Sequence, residues 1–260
     1  MARRTCKTAI ATAIALVTAM PGAAAACDVF HGLRVKIESG TYHAALNDVL
    51  LDDRGHSVSS VNGTAKPSSY EFGLTDWLVP GENIVTIDFD GTAGEFEIFA
   101  RCKGTYADDH IVDTVTFASP SSQQLRFEHQ GPLEYSYLKA DIAGDEGLLD
   151  AVTELQDAAR AGDVDTILRM HRPMIEEFGR RMGSTDGIIF YLRSILSSDP
   201  VDIVETLTVT PVMGGRVYQI RGPDDQPPIS VAGKTDEGSF YWPGGVYWAR
   251  FGDEWAVVAN

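Results

Sequence analysis

Through the first half of this chain apolar residues recur at every second position. From residue 29 to 38, Val35 and Ile37 fall opposite Lys36 and Glu38, which is the period of a strand. The same alternation predicts strands over 42–51 (with a break at Asn47-Asp48), 70–72, 84–89, 95–101, 111–117, 125–129 and 135–140. Turn signals separate them: Asp52-Asp53-Arg54-Gly55, Asn62-Gly63 and above all LTDWLVPGENIVTI at 74–87. In that stretch Pro80-Gly81 reverses the chain, because Pro holds φ where a turn's second position needs it and Gly tolerates the positive φ that can follow. Beyond the turn, Val85, Ile87 and Phe89 share one face, and Ile84, Thr86 and Asp88 the other.

Near residue 141 the period lengthens. Asp145 is placed to cap a helix carrying Leu148, Val152, Leu155 and Ala159 at steps of four, three and four. Ala161-Gly162-Asp163 ends it and starts a second, whose apolar positions are Val164, Ile167, Leu168, Met174, Ile175 and Phe178. Pro173 has no N–H for the Arg169 carbonyl, so a kink is expected there. Gly183 ends that helix, Ser184 can cap a third, and Ile188, Leu192 and Ile195 mark its apolar stripe. After Asp199-Pro200 the period returns to two over 201–212, 216–221, 229–232, 246–251 and 255–258, with Pro243-Gly244-Gly245 read as a hairpin turn. Helices followed by antiparallel strands make an α+β arrangement.

Charge changes the functional picture. A formal charge of −16 is shared by both halves, which argues against phosphate backbones and anionic membrane surfaces as partners. The first 26 residues read as a signal peptide: basic Arg3, Arg4 and Lys7, an apolar stretch from Ala9 to Met20, then Ala24-Ala25-Ala26 before Cys27. Arg3-Arg4 alone, without the usual hydrophobic followers, is a poor twin-arginine signal. No later run is long enough to cross a membrane as a helix. Export to the periplasm or beyond is the expectation. It leaves Cys27 and Cys102, most simply one disulfide in an oxidising compartment; the competing reading is a lipoprotein acylated at Cys27.

Two resemblances extend this reading. The stretch at 74–87 resembles the turn closing the jelly-roll, sugar-binding-type sandwich of family 2 glycoside hydrolases. LQDAARAGDVDTIL joining two helices, GSTDGIIFYLRSIL opening the third and the final GDEWAVV resemble the nuclear-transport-factor-like cone shared by ketosteroid isomerase, scytalone dehydratase and polyketide cyclases. They imply two domains: an all-β, jelly-roll-like sandwich over 27–141, then an α+β cone of three helices and an antiparallel sheet over 145–260. The cone implies a pocket between helices and sheet, and a homodimer formed through the sheet. The strand pair that the family places before its third helix is missing here.

Candidates to line such a pocket are His171, Tyr191, Arg193, Tyr218, Trp242 and Trp248. His171 lies on the apolar stripe of the second helix, where it is either a core histidine satisfied locally or a pocket acid/base. Arg216, on a strand, could also reach a cavity but is more simply a solvated edge or a surface ion pair. Half of the cluster Phe240, Tyr241, Trp242, Tyr247 and Trp248 should point inward and half outward. Glu176-Glu177 are adjacent on a helix and diverge, as a solvated face does. No nucleophile elbow, phosphate loop, metal-ligand spacing or dinucleotide fingerprint is present, so no catalytic, metal or cofactor assignment follows. The expectation is a non-catalytic binding or interaction protein for a small molecule, a carbohydrate or another protein. Its rival is an isomerase, dehydratase or cyclase acting on a small apolar substrate, a reading motivated by His171 and Tyr191.

Overall fold

The computed structural model describes residues 28–51, 56–57, 60–61, 64–65, 68–102, 109–198, 200–235 and 238–260. The signal-like segment, Cys27 and the turn dipeptides at 52–55 and 62–63 lie outside the described residues. The chain is mostly antiparallel sheet, with four helices in its second half.

The first half runs β1 (Val29–Leu46), β2 (Val49–Leu50), β3 (His56–Ser57), β4 (Ser60–Val61), β5 (Thr64–Ala65), β6 (Ser68–Gly73), β7 (Gly81–Cys102), β8 (His110–Phe117) and β9 (Ser121–His129). Segments that the alternation separates, 29–38 from 42–51 and 84–89 from 95–101, join into two long strands. β1 and β7 pair along nearly their whole length, from Val29 opposite Cys102 to Leu46 opposite Val85. The register slips between Ile37 and Gly40, and there the buried set changes parity. Leu33, Val35 and Ile37 are buried before the slip, and Tyr42, Ala44 and Leu46 after it. On β7 the change is from Val85, Ile87 and Phe89 to Phe96 and Ile98. The ribbon thereby folds over on itself, and both of its ends share one core with Phe117, Leu125 and Phe127. The bend depends on glycine: a Cβ on Gly40 or Gly91 would run into the opposite strand's backbone. β6 and β8 pair with one end of the ribbon, and β2, β3 and β9 with the other.

The segment 135–140 is not the expected strand. Ser136–Lys139 forms a 3-10 turn, and the Tyr135 and Tyr137 rings stack with centroids 5.1 Å apart. In place of a ladder, its backbone finds side chains of the second half. The Ser136 N–H donates to Glu177 Oε2 at 2.7 Å, and the Ala140 carbonyl accepts from Arg216 at 2.7 Å.

The helices are α1 (Leu148–Ala161), α2 (Val164–Met170), α3 (Arg172–Met182) and α4 (Thr185–Ser198). The expected three are four because Pro173 breaks the second helix at His171 outright. His171 has φ −91° and ψ 7°, and Pro173 opens α3, where a missing N–H costs nothing. Gly147, not Asp145, caps α1; Asp145 contributes its backbone carbonyl, bonded to the Leu148 N–H at 3.0 Å. Asp163 caps α2 through the Thr166 N–H at 3.1 Å, and Ser184 Oγ accepts from the Gly187 N–H at 3.0 Å.

The remaining strands are β10 (Val201–Ile203), β11 (Thr208–Val212), β12 (Val217–Arg221), β13 (Ile229–Thr235), β14 (Gly238–Gly244), β15 (Tyr247–Phe251) and β16 (Glu254–Ala259). They form two sheets, ordered β10-β13-β14 and β11-β12-β15-β16. Pro243 and Gly244 therefore lie inside a strand paired with Ile229 and Ser230. The chain turns out of it at Gly245, into the second sheet. One face of the four-stranded sheet, with Tyr218, Ile220, Trp248, Trp255 and Val257, packs on the helices. The other, with Val212, Met213, Val217, Tyr247, Ala249 and Val258, packs on Val49, Trp77, Val79 and Tyr137. Both faces being covered, Tyr247 and Trp248 are buried side by side, where alternation alone predicts one outward.

Candidate functional site

The turn at 74–87 is the joint of the molecule. Asn83 is fully buried, and its side chain bonds the turn to itself. Oδ1 accepts from the Val79 N–H at 2.8 Å, and Nδ2 donates to the Val79 and Gly81 carbonyls, each at 2.9 Å. Asn47 Nδ2 donates to Asn83 Oδ1 at 2.9 Å and to the Trp77 carbonyl at 2.8 Å. Every named polar atom of this pair has a partner, as the burial of Asn83 requires. The pair holds Trp77 at φ 64° with its ring turned to the second half. Its centroid lies 5.2 Å from Tyr137, nearly parallel, and 4.7 Å from Tyr247. The Met213 N–H donates to the Asn47 carbonyl at 3.1 Å, and the Tyr137 hydroxyl to the Leu78 carbonyl at 3.0 Å.

Beside this joint opens a cleft of about 730 Å³. Leu50, Leu51, Asp76 and Trp77 of the first half form one wall, continued by Tyr135 and Tyr137. The second half adds Met174, Glu177, Phe178 and Arg181 of α3, with Ile188, Tyr191 and Leu192 of α4. Arg221, Trp242, Tyr247 and the end of β16 complete the lining. A smaller recess of about 250 Å³ lies across Asp76 and Trp77, towards Tyr42 and Phe72.

The charge of Arg181 in the wall is already matched. Arg181 donates to Asp76 and to Glu177, each at 2.9 Å, and its guanidinium sits 4.9 Å from the centre of the Tyr135 ring. Burial opposes that charge, but the two carboxylates outweigh it and hold the Arg181 pKa above its usual value. Glu177 is not part of a solvated face: its side chain is only 12% exposed, because it also takes the Ser136 N–H. Glu176 does face solvent, paired with Arg172. Burial raises the Tyr135 and Tyr137 hydroxyl pKa values, so both rings stay neutral.

Of the six residues proposed for a pocket, Tyr191 and Trp242 reach the cleft. His171 lies under Trp242, ring centroids 5.4 Å apart, and is 1% exposed. Its Nδ1 donates to the Ile167 carbonyl at 2.8 Å, and Nε2 is buried without a partner. Burial lowers its pKa to about 4, so it is neutral at physiological pH. Arg193 points away, onto Asp165 at 2.7 Å. Tyr218 donates to the Ala143 carbonyl at 2.5 Å, and Trp248 Nε1 to the Gly245 carbonyl at 2.7 Å; both are core. Periodicity ranks residues by the face of their own element; His171, Tyr218 and Trp248 have suitable faces that other elements cover, whereas Arg193 is on an exposed face of α4.

Trp77, Tyr135, Tyr137, Glu177 and Arg181 are the cleft residues that sequence reasoning passes over. The signal that could have found two of them is Tyr135 and Tyr137, spaced as strand neighbours in a segment without a partner strand. Among the described residues no group of three or more His, Cys, Asp or Glu is placed to hold a metal ion, and no helix is long and apolar enough to cross a membrane. Comparison with family models, curated proteins and solved structures finds no match, so the reading of the cleft rests on its own residues.

Proposed function

We propose that this chain is an exported, non-catalytic binding protein whose ligand occupies the cleft between its halves. The observation that carries the reading is the wall itself: aromatic and aliphatic, roomy enough for a drug-sized molecule, with its carboxylates and Arg181 engaged with one another. The rival, an isomerase, dehydratase or cyclase, is motivated by an inward His171 beside Tyr191. In the fold His171 is sealed behind Trp242 and does not touch the cleft.

In this reading the chain comprises a jelly-roll-like domain followed by a cone of the nuclear-transport-factor-like kind, docked through Trp77. The cone assignment is supported by helices packed over antiparallel strands, with an opening at one end. Export is supported by the leader, and a Cys27–Cys102 disulfide by register, since Val29 stands opposite Cys102 two residues after Cys27. Intact mass of the mature protein with and without reductant tests that bond, and a diacylglycerol-sized addition at Cys27 would replace it by lipidation.

Thermal-shift screening of a small-molecule library against the native chain and Ile188→Glu tests the binding function. A ligand at 100 times its Kd adds about 2.7 kcal/mol of stability, and this gain should vanish when a charge enters the cleft. A library that stabilises both proteins equally overturns the assignment to the cleft. A binder converted to product, seen by mass spectrometry, puts the enzyme first.

A further inference from the structure

We infer that the cleft takes an uncharged, largely apolar molecule, not an organic anion or a saccharide; this rests on the cleft being the binding site. The first support is where the tyrosine hydroxyls go. Tyr135 donates to the Thr75 carbonyl and Tyr137 to the Leu78 carbonyl, so these wall residues offer rings while their polar ends serve the turn. The Tyr247 hydroxyl is bonded by Gln219 Nε2 at 3.1 Å. A saccharide would bring many hydroxyls against such a wall, and each one desolvated without a partner opposes binding.

The second support is the ionic groups. Arg181 is divided between Asp76 and Glu177, Glu177 also accepts the Ser136 N–H, and Arg221 donates to the Asp225 carbonyl at 2.9 Å. At Arg181 a ligand carboxylate or sulfonate would have to displace Asp76 or Glu177, and at Arg221 the Asp225 carbonyl, within a chain of net charge −16. That charge also works against a second copy of the chain seating itself there. The apolar wall continues outward over Phe178 and Tyr191, both about half exposed, so an apolar body gains contact as far as the rim.

The test is a matched pair of fluorescent probes, N-phenyl-1-naphthylamine and 8-anilinonaphthalene-1-sulfonate, which share one ring body and differ by a sulfonate. With the full mature chain, the neutral probe should bind saturably at one per chain, at least tenfold tighter than the anion. Ile188→Glu, and Tyr191→Glu as a second variant at an exposed position, should each weaken the neutral probe at least tenfold. Phe190→Ser, at a 76% exposed position outside the cleft, should leave it unchanged. An anion bound as tightly as the neutral probe overturns the uncharged class but leaves the cleft as the site. Displacement of bound neutral probe by maltotriose does the same in favour of a saccharide. Loss of probe binding as the chain self-associates at higher concentration would assign the cleft to a second copy. A neutral probe that does not bind, or that binds both Glu variants unchanged, overturns the class and the cleft together.

Discussion

The two halves bury their apolar residues by different means. In the first, one long hairpin bends at Gly40 and Gly91 and closes on itself, so Phe89, Phe96 and Phe117 meet at centroid distances of 5.1 to 6.0 Å. A sheet folded onto itself brings two matched surfaces together. In the second, four helices lie over two sheets, and helices of unequal length do not cover a sheet to its edge. There the apolar side chains of Ile188, Leu192 and Trp242 line the cleft, and Trp77 from the first half lines it with them. A closed core yields stability, while an unevenly covered one yields a site.

If this contrast is right, the largest effects come from emptying each core. Phe96→Ala and Trp248→Ala, both at fully buried positions, should each cost about 3–5 kcal/mol in denaturant unfolding. Because Val49, Trp77 and Val79 share an apolar cluster with Val212, Met213 and Tyr247, both variants should still unfold in one transition. Trp77→Ala should separate the halves into two calorimetric transitions, and a single transition there would show that the joint lies elsewhere.

Next in size is acid. His171 and His31 are held neutral, each with a pKa of about 4: His171 by burial, His31 by burial and then by the charge of His129, 5.5 Å away. Unfolded, an imidazole titrates near 6.5, so the unfolded chain binds more protons between those values. The associated stability is intact above about pH 6.5 and is lost as pH falls towards 4, by about 3 kcal/mol for His171. Urea midpoints at pH 7 and pH 4.5 measure the loss, and NMR titration should find neither ring protonating between pH 5 and 8.

Smaller still is the ion cluster at the joint. Arg181 is partly exposed, so Arg181→Met should cost under about 1 kcal/mol, and that difference should shrink in high salt. Smallest is His171→Leu. The Ile167 carbonyl keeps its bond from the residue-171 N–H at 3.1 Å, and an unpartnered buried nitrogen disappears. A net change within about 1 kcal/mol, together with less loss of stability at pH 4.5, is expected. A cost above about 3 kcal/mol would mean that Nε2 has a partner.

What could be read from the chain was local. Alternation placed Val35, Ile37, Val85, Ile87 and Phe89 on buried faces, and Gly162, Asp163, Gly183 and Ser184 marked helix ends, because pleat, pitch and cap chemistry depend on neighbours in sequence. The stretch at 74–87 stood out for the same reason. Its destination did not: that Trp77 packs against Tyr137 and Tyr247 depends on residues 60 and 170 positions away. The candidates for a pocket suffered likewise. Tyr191 and Trp242 reach the cleft, whereas His171, Tyr218 and Trp248 lie on comparable stripes that other elements cover.

By itself, then, the sequence determined most of the element types, several helix ends and the change from strand to helix near residue 141. Tertiary structure decided the rest. Bulges at Ser39 and Gly40 joined two strands and exchanged their faces, since a one-residue slip inverts every side chain beyond it. Pro173 ended a helix rather than bending it, and the new helix runs against α4. The cleft exists only because two halves meet. Its walls combine residues 50 and 77 with residues 191 and 242, and no local period encodes which distant surface will face which.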